Sequence, residues 1–137
     1  MLITRETDYS IRALRALSDG NKWTLAMICK KELVPHQFGY KIMKKLSLAG
    51  FVDIKRGKEG GYIIGEGIKD KTLFDLVNVM ETSSGVSPCV DPDYVCELHG
   101  GEGESCSVHT KLSALQAALD NELRSINLIK LFENEPK

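Results

Sequence analysis

Residues 35–65, PHQFGYKIMKKLSLAGFVDIKRGKEGGYIIG, decide how the rest of the chain is read. Pro35 suits a first helical position, because the N–H it lacks would be unpaired there anyway. Phe38, Ile42, Met43, Leu46 and Leu48 follow at helical spacing and predict one buried stripe, with Lys41, Lys44 and Lys45 on the other side. Ala49-Gly50 ends the helix, since glycine takes the left-handed conformation at little cost. Phe51, Val52 and Ile54 read as a short strand, residues 57–61 as a tight turn and Tyr62-Ile63-Ile64 as the returning strand. A basic helix followed at once by a hairpin, with Arg56 and Lys58 near its tip, is the sequence form of a winged helix. Such a helix fits a major groove, and such a hairpin reaches the backbone or minor groove beside it.

A solvated helix face also carries lysines for solubility alone, so this pattern leaves DNA binding and plain solvation equally open. Charge distribution favours the first. The net charge of −1 over 137 residues argues for no acidic partner, but it is unevenly spread. Through Lys71 there are fourteen Lys/Arg against eight Asp/Glu; after it there are four against eleven. A basic first half and an acidic second half fit a DNA-facing module joined to one that faces away.

The length suits one compact domain, or a small domain with an appended element. A content of 42% apolar and 27% charged residues is ordinary for a globular protein. No apolar run approaches a membrane span. Where a secretory signal would need an apolar core the chain has RETDYSIR, which points to a cytoplasmic protein with no membrane partner.

Around the central stretch, Thr4 is placed to cap a first helix with Tyr9, Ala13, Leu14 and Leu17 as its stripe, and Glu6 and Asp8 near its positive end. Thr24 caps a second, shorter helix carrying Leu25, Ile28 and Cys29. Three helices and a hairpin make residues 1–71 a winged helix-turn-helix domain in a mainly α chain. Residues 65–70 read as a polar connector. Thr72 then caps a helix with Leu73, Leu76, Val77 and Met80 inward. Residues 72–106 form a linking helix and a cysteine-rich loop, and residues 107–137 a long helix and tail. In that last segment Leu112, Leu115, Leu119, Leu123, Ile126, Ile129 and Phe132 fall at steps of three and four. Twenty-five helical residues would reach roughly 35–40 Å, more than the small domain can cover. The spare stripe predicts pairing with a second copy of the chain, and a two-fold dimer would suit a palindromic operator.

The loop from Ser83 to Ser107 has neither helical nor strand periodicity, and irregular loops of that length usually carry function. It holds Cys89, Cys96 and Cys106 in the pattern C-x6-C-x9-C, with His109 three residues later. His99 is a further candidate. Cys29, among apolar helical neighbours, reads as a small buried hydrophobe. A disulfide framework does not suit a cytosolic chain. Three thiols and an imidazole suit an iron–sulfur cluster, a zinc ion or redox-active thiols, and spacing leaves all three open. Cys106 lies just ahead of a helix, whose positive end favours its thiolate. The tight C-x2-C runs of ferredoxins are absent, as are a P-loop, a nucleophile elbow and a dinucleotide fingerprint, so the pattern offers no enzyme or electron carrier.

The run LSLAGFVDIKRGKEGGYIIG resembles the wing of the IscR/NsrR-type transcription regulators of the Rrf2 superfamily. There an L-x-x-A-G-hydrophobic-V strand leads into R-G-x-x-G-G-Y-x-L. Arg56, Gly57, Gly60, Gly61 and Tyr62 match, with Ile64 in place of the final Leu. The opening LITRETDYSIRAL is similar to the family's first helix, and the likeness runs to about Phe132. The resemblance implies a dimeric DNA-binding regulator, a repressor, controlled by a cluster that senses cluster supply, redox state or nitric oxide. Cys89, Cys96 and Cys106 occupy the place of the family's cluster cysteines. The fourth ligand would be His109 with a 2Fe–2S cluster, or Asp8 of the partner subunit with a 4Fe–4S cluster. This chain offers both, and its nine-residue second spacing is wider than the family pattern. His36, Gln37 and Tyr40 would face bases, Lys41, Lys44 and Lys45 phosphates, and Arg56 and Lys58 the minor groove. The alternative is a cluster-free winged-helix regulator controlled by cysteine oxidation, zinc or a partner protein.

Overall fold

In the computed structural model, residues 3–83, 85–98 and 106–133 are described. Helix α1 spans Arg5–Leu17 and buries Ala13, Leu14, Ala16 and Leu17. Each of its two leucines contributes about 1.5–3 kcal/mol by leaving water. Thr4 holds the N-cap position but does not cap the helix. Its hydroxyl donates instead to Glu81, 77 positions along the chain, at 2.6 Å. Helix α2, Leu25–Glu32, is capped as expected, with Thr24 accepting from the Met27 N–H. Leu33 follows in the left-handed conformation at φ 54° and turns the chain into α3, His36–Leu48.

Pro35 is the N-cap of α3, one position before the expected first helical residue. Ile42, Met43 and Leu46 are buried and Phe38 packs on the core beside them. Leu48 departs from the expected stripe at 81% exposure, because six residues after Ile42 a 3.6-residue period has carried the side chain round to the outer face. The helix ends at Gly50, φ +82°. The Gly50 N–H donates to the Ser47 carbonyl and the Phe51 N–H to that of Leu46, the paired bonds of a Schellman motif.

Strands β1, Val52–Lys55, and β2, Gly61–Ile64, pair antiparallel, with Val52 opposite Ile64 and Lys55 opposite Gly61. The tip between them turns at Gly57, φ +112°. On its other edge Tyr62 exchanges backbone hydrogen bonds with Trp23, at 2.8 and 2.9 Å. The returning strand of the wing is thus tied to the turn between α1 and α2.

Residues 66–70 form a short 3-10 helix with Ile68 buried, where the sequence suggested only a polar connector. Helix α4, Leu73–Met80, begins with a reciprocal capping box between Thr72 and Asp75. Its Leu76 and Met80 complete one continuous core with α1, α3 and β1. Pro88–Val90 makes a single 3-10 turn in the cysteine loop.

Helix α5 runs from Ser107 to Arg124, about 27 Å, and stops short of the expected end at Phe132. Asn127 caps a separate short helix, α6, Leu128–Leu131, accepting from the Ile129 and Lys130 N–H groups. That break folds Leu128 and Phe132 back into the chain's own core. Of that stripe only Leu115, on α5, is left exposed, at 49%; Val108, outside the stripe, is 62% exposed on the same helix. Among the described residues no helix is long and apolar enough to cross a membrane.

Candidate functional site

The outer face of α3 is where sequence reasoning put DNA contacts. His36, Gln37, Tyr40 and Lys44 are all exposed on it, as are Arg56 and Lys58 at the wing tip. Lys44 has no ion-pair partner among the described residues. Tyr62, on the returning strand of the wing, has its phenol pushed up by burial and further by Tyr40.

Lys41 and Lys45 are differently placed. Lys41 Nζ lies 2.7 Å from Glu6 Oε1 and Lys45 Nζ 3.2 Å from Glu6 Oε2. Lys45 is half-buried and also donates to the Met80 carbonyl at 3.3 Å. The hydrogen bond from Lys41 is the largest of the influences that hold the Glu6 carboxyl below its ordinary range. These two lysines thus lie along the border of α3 with α1 and α4. Sequence reading missed this pairing, since Glu6 precedes them by 35 and 39 positions.

The second cluster of chemistry is the cysteine loop. Cys89, Cys96 and His109 line one cavity of about 320 Å³ together with Asp91, Tyr94 and Ser113. Cys106 is the N-cap of α5, and its Sγ accepts from the His109 N–H at 3.4 Å. His109 Nε2 lies 3.4 Å from Ser113 Oγ, and Cys89 Sγ 3.4 Å from Ser87 Oγ. The donor set fits a soft, iron-type centre. Its members are not gathered: among the described residues no three His, Cys, Asp or Glu side chains stand close enough to hold one metal ion. Asp8 lies on α1, half-exposed, in an i,i+4 pair with Arg12 at 3.0 Å. His99 lies outside the described residues. Cys29 is buried as expected, and burial raises its thiol pKa, which keeps it unreactive.

A helix-turn-helix with a wing, an exposed basic reading face and an attached cysteine loop define a winged-helix DNA-binding regulator of transcription, not an enzyme. Residues 3–134 match the family model Rrf2, described as an iron-dependent transcriptional regulator, and the chain belongs to that family. A relative from Rhizobium meliloti (strain 1021), called protein aau3, is 28% identical over 140 residues, covering 100% of this chain and 88% of its own. The solved structure of CymR, the global cysteine regulator of B. subtilis, superposes with a TM-score of 0.74 at 20% identity, covering 98% of both chains. The oxidized form of Staphylococcus aureus CymR gives 0.74 at 16% identity over 100% of both chains. T. potens IscR gives 0.68 at 20% identity, over 96% of this chain and 86% of that one. At these identities the structural likeness speaks for the fold.

Proposed function

We propose that the protein is a homodimeric repressor whose operator binding is controlled by an iron–sulfur cluster held by Cys89, Cys96 and Cys106. The observation that carries this reading is the shared cavity of Cys89, Cys96 and His109 at the head of α5, which Cys106 caps. Three thiols and one imidazole around a single loop are soft donors of the type iron–sulfur centres use. His109, or Asp8 of the partner subunit, supplies the fourth ligand. The bound cluster contributes a centre that reacts with oxidants and nitric oxide. The chain's own residues supply everything else. His36, Gln37 and Tyr40 read base edges, Lys41, Lys44 and Lys45 hold phosphates, and Arg56 and Lys58 flank the minor groove of a palindromic operator. The exposed apolar side chains of α5 form the seam between two copies.

Purification without oxygen, followed by absorbance spectroscopy and iron and sulfide counts per chain, tests the reading. About four irons support a 4Fe–4S cluster with Asp8 as ligand; about two support a 2Fe–2S cluster with His109.

The rival is a cluster-free regulator governed by cysteine oxidation, zinc or a partner protein. The ungathered arrangement of the cysteines among the described residues is the observation that keeps it in view. A colourless, iron-free protein from the same purification would select this second reading.

A further inference from the structure

Two polar contacts join the end of α4, where the cysteine loop begins, to the reading helix. At the first, Glu81 Oε1 accepts from the Thr4 N–H at 3.1 Å, from the Thr4 hydroxyl at 2.6 Å and from the Thr7 hydroxyl. This clasp fixes the first turn of α1 against the C-cap residue of α4. At the second, Glu6, in that same turn, receives Lys41 on one carboxylate oxygen and Lys45 on the other. Thr4, Glu6, Lys41, Lys45, Met80 and Glu81 surround one open cavity of about 400 Å³.

We propose that Glu6 is an internal competitor of the DNA backbone for Lys41 and Lys45, held in register by the Glu81 clasp. The proposal rests on the assignment of those two lysines to phosphate contacts. A carboxylate and a phosphate offer an ammonium group the same kind of charge-assisted hydrogen bond. With Glu6 in place, its single negative charge is shared by two cations, and DNA must displace it to recruit either. Lys41 keeps 59% of its side-chain surface exposed while paired, so a phosphate can reach it without the helix moving. Lys45, tied also to the Met80 carbonyl, is the harder of the two to recruit. Glu81 is the C-cap of α4, two positions ahead of the cysteine loop, so a change in that loop's conformation would act on the clasp across one intervening residue. Loosening it would let the first turn of α1, and Glu6 with it, move away from α3. The number of lysines offered to DNA would then depend on the state of the loop.

The test is the salt dependence of binding to a fluorescein-labelled random-sequence duplex by the full chain and four variants. These are Glu6→Gln, Lys41→Gln/Lys45→Gln, the triple combination, and Glu81→Gln, each checked for cooperative thermal unfolding. The expected result is about three- to ten-fold tighter binding by Glu6→Gln at low salt, the scale of one or two exposed ion pairs. Its plot of log K against log salt should steepen by about 0.9 for each phosphate gained. The triple variant should match the double lysine variant, and Glu81→Gln should shift in the same direction as Glu6→Gln by less. If Glu6→Gln binds like the parent or more weakly while the lysine pair still flattens the slope, Glu6 is no competitor and the proposal fails. An unchanged slope in the lysine pair would instead remove the phosphate assignment, and the competition with it. A Glu6→Gln gain without any Glu81→Gln effect would confine the competition to α1 and α3 and overturn the clasp's part in it.

Discussion

Thr72 and Asn127 face each other in an isolated antiparallel bridge that closes the C-terminal end of the chain onto the start of α4. The Leu73 N–H donates to the Ile126 carbonyl at 2.8 Å and the Leu128 N–H to that of Lys71 at 3.0 Å. Asn127 Nδ2 adds a bond to the Lys69 carbonyl at 2.9 Å. One side chain therefore caps α6 and ties it to the 3-10 turn ahead of α4. Asn127→Ala removes both functions. We expect a loss of about 1–2 kcal/mol, the usual cost of a lost N-cap, seen as a Tm lower by roughly 4–8 °C. An unchanged Tm would mean that α6 is held by Leu128 and Phe132 alone.

Helices α2 and α3 touch where Gly39 leaves room for Cys29. A Cβ at position 39 would lie 2.8 Å from Cys29 Sγ and 3.0 Å from Leu25 Cδ1. Alanine is the better helix former by about 1 kcal/mol, but overpacking a close contact costs about 1–3 kcal/mol. Gly39→Ala should therefore destabilise in urea titrations. Gly39→Ala/Cys29→Ala should recover most of the loss, because the added methyl then occupies the space of the deleted sulfur. Additive effects of the two changes would show that Sγ is not the obstacle.

Glu81 gives the fold an acid-sensitive joint. Burial pushes its carboxyl upward, but the hydrogen bonds from Thr4 and Thr7 outweigh this and hold it below its ordinary value. A carboxyl depressed in the folded state contributes stability above its unfolded pKa and loses it as pH falls through the folded one. The parent should thus be more stable than Glu81→Gln near neutral pH. The gap should close as pH falls from about 5 towards 3. A gap independent of pH would assign the difference to shape rather than charge.

The exposed apolar positions of α5 give the proposed dimer a direct test. Leu115 lies near the middle of the helix and is about half exposed. Leu115→Glu places a charge in the seam, so sedimentation should show a shift from dimer to monomer with helix content retained. A parent that already sediments as a monomer at micromolar concentration would remove the dimer from the proposal.

The sequence carried those parts of the molecule that local chemistry determines. Gly50, Gly57 and the apolar run Tyr62-Ile63-Ile64 made the wing readable, and Thr24 and Thr72 marked two helix starts that the structure repeats. Period put the lysines of α3 on the side away from its buried stripe, while His36, Gln37 and Tyr40 were picked out only through the family resemblance, and period misplaced Leu48. What escaped were contacts between distant positions, which leave no periodic trace. Thr4 has every property of a cap but serves Glu81, and Glu6 looked like a helix-end charge but holds two lysines. Trp23 gave no sign that it would extend the wing sheet through Tyr62. The break in the last helix did leave a signal: Ser125 and Asn127, both cap-forming residue types, bracket Ile126 inside an otherwise regular leucine stripe.

The proposed roles divide the outer face of α3 into residues that would choose sequence and residues that would hold the backbone, and two substitutions test the division. Lys44 is exposed and without an ion-pair partner among the described residues, so in the proposed role it would meet phosphate with no internal bond to break. Lys44→Ala should weaken binding to all duplexes alike and lower the salt slope by about 1. Gln37, in the first turn of α3, has the amide that pairs with an adenine edge. Gln37→Ala should cost about 1–3 kcal/mol on the preferred operator, leave random duplex binding nearly unchanged and relax selection at one base position. Competition binding against a randomised duplex library reads both effects at once. If Lys44→Ala changed the selected sequence while the salt slope stayed fixed, the roles assigned to the two residues would be exchanged. Helix α3 would then lie in the groove rotated towards its C-terminal half.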